Sequence, residues 1–266
     1  LRHVFHRVAD QTIDFALVPV ENSQAGSILE TYDLLLEYRT LVVGEVALQV
    51  DHCLLALSTA QRSEITRVLS HPQALAQCEA FVVRERLEPI PIYDTAGAAR
   101  QVQQEGKRDQ AAIAGRRAAE LYDLQIFAER IQTVQENITR FFLITRRGPN
   151  RPRPPRIKRP RYGKKTSVVC AVANEPGSLY RLLACFNQYD VNLTKLESRP
   201  RRDPPWEYLF YLDLDGGRSD KNVAASLRAA RKATTFLQVM GTYSRALPAS
   251  VPPKRRRRKP THPFES

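Results

Sequence analysis

The chain is poor in several things that would narrow its chemistry. It has a single Met, a single Trp, five His and four Cys in 266 residues. Cys53, Cys78, Cys170 and Cys185 have no C-x-x-C spacing, and no His lies at metal-ligand spacing from them, so neither a zinc site nor a thioredoxin-like redox pair is written here. They read as reduced core thiols of a cytosolic protein. Glycine is scarce, at 11 residues. No Gly-rich loop of the dinucleotide- or phosphate-binding kind occurs. No apolar run approaches the roughly 18 residues a membrane helix needs.

What is abundant is positive charge. The formal net charge is +13, which raises the question of nucleic acid. Its distribution argues against that partner. Residues 146–165 hold ten Lys/Arg and no acid, and Lys254 to Lys259 hold six more; taking those sixteen from +13 leaves −3. The remainder is mildly acidic, and the basicity belongs to a Pro-rich linker over 146–164 and a disordered tail over 246–266.

Hydrophobic periodicity divides the rest in two. Residues 1–145 alternate strands and helices, which predicts an α/β architecture with parallel sheets. Strands are expected at Phe15 to Val20, Leu41 to Leu57, Arg67 to Leu69, Ile90 to Tyr93, Ala111 to Ala114, Gln125 to Ala128 and Ile138 to Thr145. Helices are expected at Gly26 to Tyr38, Pro72 to Arg84, Ala96 to Gly106 and Arg116 to Tyr122. Residues 165–245 read as βαββαβ, the ferredoxin-like order, with a hairpin closed between Pro200 and Pro205.

Several blocks carry chemistry. Thr139-Arg140-Phe141 puts a hydroxyl, a fixed cation and an aromatic face together at the start of a strand. Asn22 and Ser23 follow a strand and Glu21, Ser70-His71-Pro72 opens a helix that reaches Gln77, and Thr95 opens another. In open α/β sheets, ligands gather at such strand ends and helix starts. Alternation would put Thr139 and Arg140 on opposite faces, so both reach one cleft only if the chain bends there or Arg140 curls over an edge.

In order and spacing, Val18 to Ser27, Ser70 to Cys78, Asp94 to Ala99, Ala111 to Gly115 and Thr139 to Phe141 resemble the prephenate dehydratase family. Glu197-Ser198-Arg199-Pro200 resembles the phenylalanine motif of the ACT regulatory domain that follows in that family. The resemblance runs from about residue 4 to about residue 245. It implies a two-lobed, periplasmic-binding-protein-like catalytic domain with a cleft (1–145), then an α+β ferredoxin-like ACT domain (165–245). It implies a carbon–oxygen lyase that needs no cofactor or metal and decarboxylates and dehydrates prephenate to phenylpyruvate in phenylalanine biosynthesis.

By correspondence with the family, Thr139 donates the proton to the leaving hydroxyl, and Asn22 and Gln77 share the catalytic work. Arg140 takes a substrate carboxylate, with Phe141, Ser23, Ser70, Thr95 and Glu21 around the substrate. Asn174, Gly177, Ser178, Leu179 and Glu197 to Pro200 hold the effector L-phenylalanine. There Gly177-Ser178-Leu179-Tyr180 departs from the family's Gly-Ala-Leu-Val-like run. A homodimer or homotetramer is expected, in the cytoplasm and without a membrane or nucleic-acid partner. The family's early Gly-Pro-x-Gly-Thr-like loop has no counterpart before Val18, so the sequence reads as lacking an N-terminal segment. Arogenate dehydratase and a non-catalytic amino-acid sensor are the alternative readings.

Overall fold

The computed structural model describes residues 1–154, 163–200 and 208–246. The expected hairpin closure, the middle of the linker and the tail from 247 lie outside them. The chain divides into two compact units, one of residues 1–48 and 139 onward, the other of Gln49–Ile138.

The first unit begins with helix α1 (Arg2–Ala9), which buries Phe5 and Val8, one turn apart. Strand β1 (Ala16–Asn22) alternates as its sequence dictates. Ala16, Val18, Val20 and Asn22 face inward and Leu17 faces solvent. A two-residue strand β2 (Gly26–Ser27) folds back on β1, pairing Asn22 with Gly26 and Glu21 with Ser27. Gly26 has φ +80°, a turn conformation that glycine adopts without steric cost. The expected helix therefore starts at Leu29, as α2 (Leu29–Glu37), rather than at Gly26. Strands β3 (Leu41–Gln49) and β9 (Ile138–Thr145) complete this part of the sheet. The expected long strand from Leu41 to Leu57 breaks after Gln49, where the second unit begins.

The segment after the linker follows the predicted order: β10 (Lys164–Ala171), α7 (Ser178–Asn187), β11 (Leu193–Pro200), β12 (Tyr208–Asp215), α8 (Lys221–Lys232) and β13 (Phe236–Ser244). Its four strands stand in the order β11-β12-β10-β13, all antiparallel. One face is covered by α7 and α8 through Leu182, Phe186, Val223 and Leu227. The other face is not solvated. Val169, Ala171, Leu209, Tyr211, Met240 and Tyr243 share a core with Phe5, Val18, Val20, Leu35, Phe142 and Ile144. Both faces of β10 are thus buried, which accounts for the unbroken apolar run Val168 to Ala171 in its second half.

β13 also pairs in parallel with β3 at Gly241 and Val42, so the strands form one eight-stranded sheet, β11-β12-β10-β13-β3-β9-β1-β2. The approach is close: a Cβ on residue 241 would sit 2.0 Å from the Val42 carbonyl oxygen. Only glycine fits there. Gly241→Ala is expected to cost about 1–3 kcal/mol by forcing β13 from β3. An unchanged urea midpoint would show that the strands are not held this closely.

The second unit carries β4 (Cys53–Ala56), β5 (Arg67–Ser70), β6 (Glu88–Pro91), β7 (Gln110–Ala114) and β8 (Gln125–Glu129), in the order β6-β5-β7-β4-β8. β5 is parallel to β6 and β7, whereas β4 is antiparallel to both of its neighbours, β7 and β8. The sheets are therefore mixed rather than parallel, because helical crossovers link only β5 onward while β4 enters from the other end. The expected helix from Pro72 to Arg84 is two short ones, α3 (Pro72–Gln77) and α4 (Glu79–Arg84), parted at Cys78, which leaves helical geometry with φ −107° and ψ 14°. Helices α5 (Thr95–Glu105) and α6 (Arg116–Tyr122) follow the sequence pattern. All four cysteines are unpaired, and burial pushes the Cys78 and Cys170 thiols up to about 12.

Candidate active site

In the first unit the register of β1 against β9 sets the geometry. A bulge at Val20 shifts the pairing, so that Glu21 faces Arg140 and Asn22 faces Thr139. Asn22 Nδ2 donates to Thr139 Oγ1 at 3.0 Å. Asn22 Oδ1 accepts from the backbone N–H groups of Gln24 (3.0 Å) and Ala25 (2.9 Å). These two donors fix which end of the amide is oxygen, so the NH2 end meets Thr139. Thr139 Oγ1 therefore accepts a hydrogen bond from Asn22 and keeps its own hydrogen to give. That is the orientation a hydroxyl acid needs. By alternation, Phe141 lies on the same face of β9 as Thr139.

Arg140 lies on the other face. It meets Glu21 (2.8 Å), Asp213 (2.5 Å) and Glu45 (3.3 Å), and its guanidinium stacks 5.3 Å from the Phe142 ring. Lys165 Nζ reaches Glu45 at 3.2 Å. Ser167 donates to Asp213 at 2.5 Å and bonds the Tyr243 hydroxyl at 2.6 Å. The cluster is nearly dry, with side-chain exposure of 1% at Glu45, 4% at Asp213 and 12% at Arg140. Burial alone would push the Asp213 carboxyl up, but Arg140, Lys165 and the Ser167 hydroxyl hold it below the usual aspartate range. For Arg140, burial opposes the charge, and Asp213, Tyr32 and Glu45 more than offset it, so its pKa is raised. Arg140 and Thr139 are thus not brought together. The three acids on the guanidinium are the protein's own, two of them on strands that the sequence did not connect with Arg140.

The expected effector residues divide in the same way. On β11, Lys195, Glu197 and Arg199 turn inward, while Ser198 and Pro200 are exposed. Arg199 pairs with Asp33 at 2.6 Å, and Glu197 Oε2 accepts from Ser27 Oγ at 2.5 Å. Asn174 and Gly177 are exposed before α7; Gly177, at φ +79°, caps it, Ser178 is buried and bonded to Arg181 at 2.7 Å, and Leu179 is half-buried. Among the described residues no hydrogen bond or ion pair joins Asn174–Leu179 to Glu197–Pro200.

In the second unit, Gln77 Oε1 accepts from Asn137 Nδ2 (3.0 Å) and meets His52 Nε2 (2.9 Å). Its oxygen is thereby committed to these two partners. Asn137 is fully buried and His52 nearly so. His52 was not legible as a site residue, since a single His between two strands carries no signal. Ser70 is fully buried with its hydroxyl given to the Ile113 carbonyl at 2.6 Å. His71 caps α3 by accepting from Gln73 N. Thr95 is half-buried at the first turn of α5, behind the capping Asp94. Ser23 is exposed in the β1–β2 turn. Among the described residues no group of three His, Cys, Asp or Glu is placed to hold a metal ion, and no helix is long and apolar enough to cross a membrane.

The family model for prephenate dehydratase matches residues 1–149. The chain belongs to the prephenate dehydratase family. Arogenate dehydratase 1 of Petunia hybrida is 44% identical over 246 residues, covering 86% of this chain and 56% of that protein. The chain thus spans little more than half the length of this relative. Arabidopsis thaliana relatives carry "chloroplastic" in their names. Among solved structures, prephenate dehydratase from Arthrobacter aurescens in complex with L-Phe superposes with a TM-score of 0.79 at 29% identity, covering 92% of this chain and 79% of that one. GqqA, described as a novel type of quorum-quenching acylase, reaches 0.80 at 30% identity, covering 92% and 86%. The expected family and its two-lobed α/β fold with a ferredoxin-like segment agree with these neighbours.

Proposed function

We propose that this chain carries a dehydratase that removes carbon dioxide and hydroxide from the ring of prephenate or of arogenate, on the way to phenylalanine. The observation that supports it is the Asn22–Thr139 pair. The ring carboxylate leaves as carbon dioxide, and its bonding electrons enter the ring. The ring hydroxyl leaves with its own electron pair, and the product is aromatic. Thr139 gives its proton to the departing hydroxide, which becomes water. Asn22 keeps the Thr139 oxygen hydrogen-bonded while its negative charge develops, and solvent restores the proton.

Prephenate and arogenate share the ring, its carboxylate and its hydroxyl. They differ only in a keto or an amino group on the side chain. The two family names leave both substrates open, and so does the geometry. Phenylalanine as effector is part of the proposal. It draws on the Glu197 to Pro200 block and on the L-Phe bound to the Arthrobacter aurescens relative. A symmetric oligomer is a further expectation of the same reading. The unpaired thiols suit a reducing compartment, whether cytosol or plastid.

The test is to supply the protein with each substrate. Phenylpyruvate is read by its absorbance in alkali, and phenylalanine by chromatography. Turnover of one or both supports the reading. Neither product, together with cleavage of an acyl amide, would move this chain to the activity named for GqqA.

A further inference from the structure

The turn that carries Asn22 is gripped from outside by a strand of the segment after the linker. Lys195 on β11 reaches Ser27 Oγ at 2.7 Å and Glu21 Oε1 at 3.3 Å, and lies 5.3 Å from the Tyr32 ring centroid. Glu197, two residues along, accepts from the same Ser27 hydroxyl and lies 3.5 Å from Lys195. Glu21 and Ser27 are cross-strand partners at the two ends of the β1–β2 turn. One ammonium and one carboxylate of β11 therefore hold both legs of that turn. Within the turn, the N–H groups of Gln24 and Ala25 orient Asn22. The Lys195 side chain is 7% exposed, so its charge is committed to these partners.

We propose that Lys195 is a positioning residue for the Asn22–Thr139 pair. This rests on the dehydratase reading above. Lys195 touches no reacting atom. It fixes the distance between the legs of the turn, and so the line from Asn22 Nδ2 to Thr139 Oγ1. A misplacement of about 1 Å at such a group costs up to roughly a hundredfold in rate.

The experiment compares wild type with Lys195→Met, which keeps the stem and removes the charge, with Lys195→Arg and with Ser27→Ala. In Lys195→Met, kcat is expected to fall about tenfold while KM stays within about twofold. Lys195→Arg should recover most of the rate, and Ser27→Ala should fall between. Amide exchange across residues 20–27 should quicken in Lys195→Met and be restored in Lys195→Arg.

Amide exchange reads the clamp without any turnover. Unchanged exchange at 20–27 in Lys195→Met would overturn the proposal whatever the activity. Wild-type kcat in that variant would also overturn it. If the wild type turns over neither substrate while exchange responds as expected, the dehydratase reading fails and the clamp stands.

Discussion

Thr139→Val is expected to lower kcat by about two orders of magnitude or more and to leave substrate affinity within a few-fold. The swap conserves shape and removes only the hydroxyl. In wild type that hydroxyl accepts from Asn22 at 3.0 Å, so its hydrogen is directed away from the amide. On the dehydratase reading proposed above, valine leaves the departing hydroxide without its acid; it also leaves the Asn22 NH2 facing a methyl group. Steady-state kinetics with whichever substrate is used, and a binding isotherm with a substrate analogue, separate the two effects. An unchanged kcat would return Thr139 to the status of an ordinary strand residue. Asn22→Ala should show a smaller loss, since the hydroxyl remains but its orientation is no longer fixed.

The second large effect is on stability. Arg140→Met is expected to destabilise the first unit by about 3 kcal/mol or more, the usual penalty for stranding buried charge. Glu45 and Asp213 would be left in a dry site with Lys165 as their main counter-charge. Adding Asp213→Asn to Arg140→Met should recover part of the loss, because it removes one stranded carboxylate. The double-mutant cycle would then show strong coupling. Urea unfolding gives the numbers. A raised KM with unchanged stability would instead support the carboxylate-binding role that the family resemblance implies for Arg140.

That contrast shows where the sequence was informative. Strand β9 was legible from Ile138 to Thr145, because its apolar run is bounded by polar residues on both sides. Its alternation already placed Thr139 and Arg140 on opposite faces. The partners of Arg140 were not legible. Glu45 and Asp213 lie 95 and 73 residues away, and no local pattern can pair residues across such distances. A signal did exist in each strand: one acid stands inside an otherwise apolar run, Leu41 to Leu48 for Glu45 and Tyr208 to Leu214 for Asp213. A lone charge in a buried strand implies a counter-charge without saying which one.

Other differences have local causes. The start of α2 was displaced by the positive φ of Gly26, which helix periodicity does not register. The break at Cys78 interrupts a run whose apolar spacing reads as continuous. Helix α1 was missed because Phe5 and Val8 are too few to establish a period. The orientation of Asn22 depends on two backbone N–H groups in its own turn, and Asn22-Ser23-Gln24 is the kind of polar turn that supplies them. The grip of Lys195 on that turn joins positions about 170 residues apart. No sequence reading reaches that far.

The division of the chain into a contiguous unit and a split one sets the order in which it can be built. Gln49–Ile138 holds all the strands of its own sheet in one stretch. Once that stretch has left the ribosome, it has every partner it needs. Residues 1–48 emerge before that stretch and must wait. Asn22 finds Thr139 only after 117 further residues have been made, and Val42 finds Gly241 later still. Until then Ala16–Asn22 and Leu41–Gln49 are apolar strands with open edges, a state prone to misassociation. Gln49–Ile138 can therefore be completed before the sheet that residues 1–48 join. Strands β1 and β3 are the segments expected to engage a chaperone during synthesis.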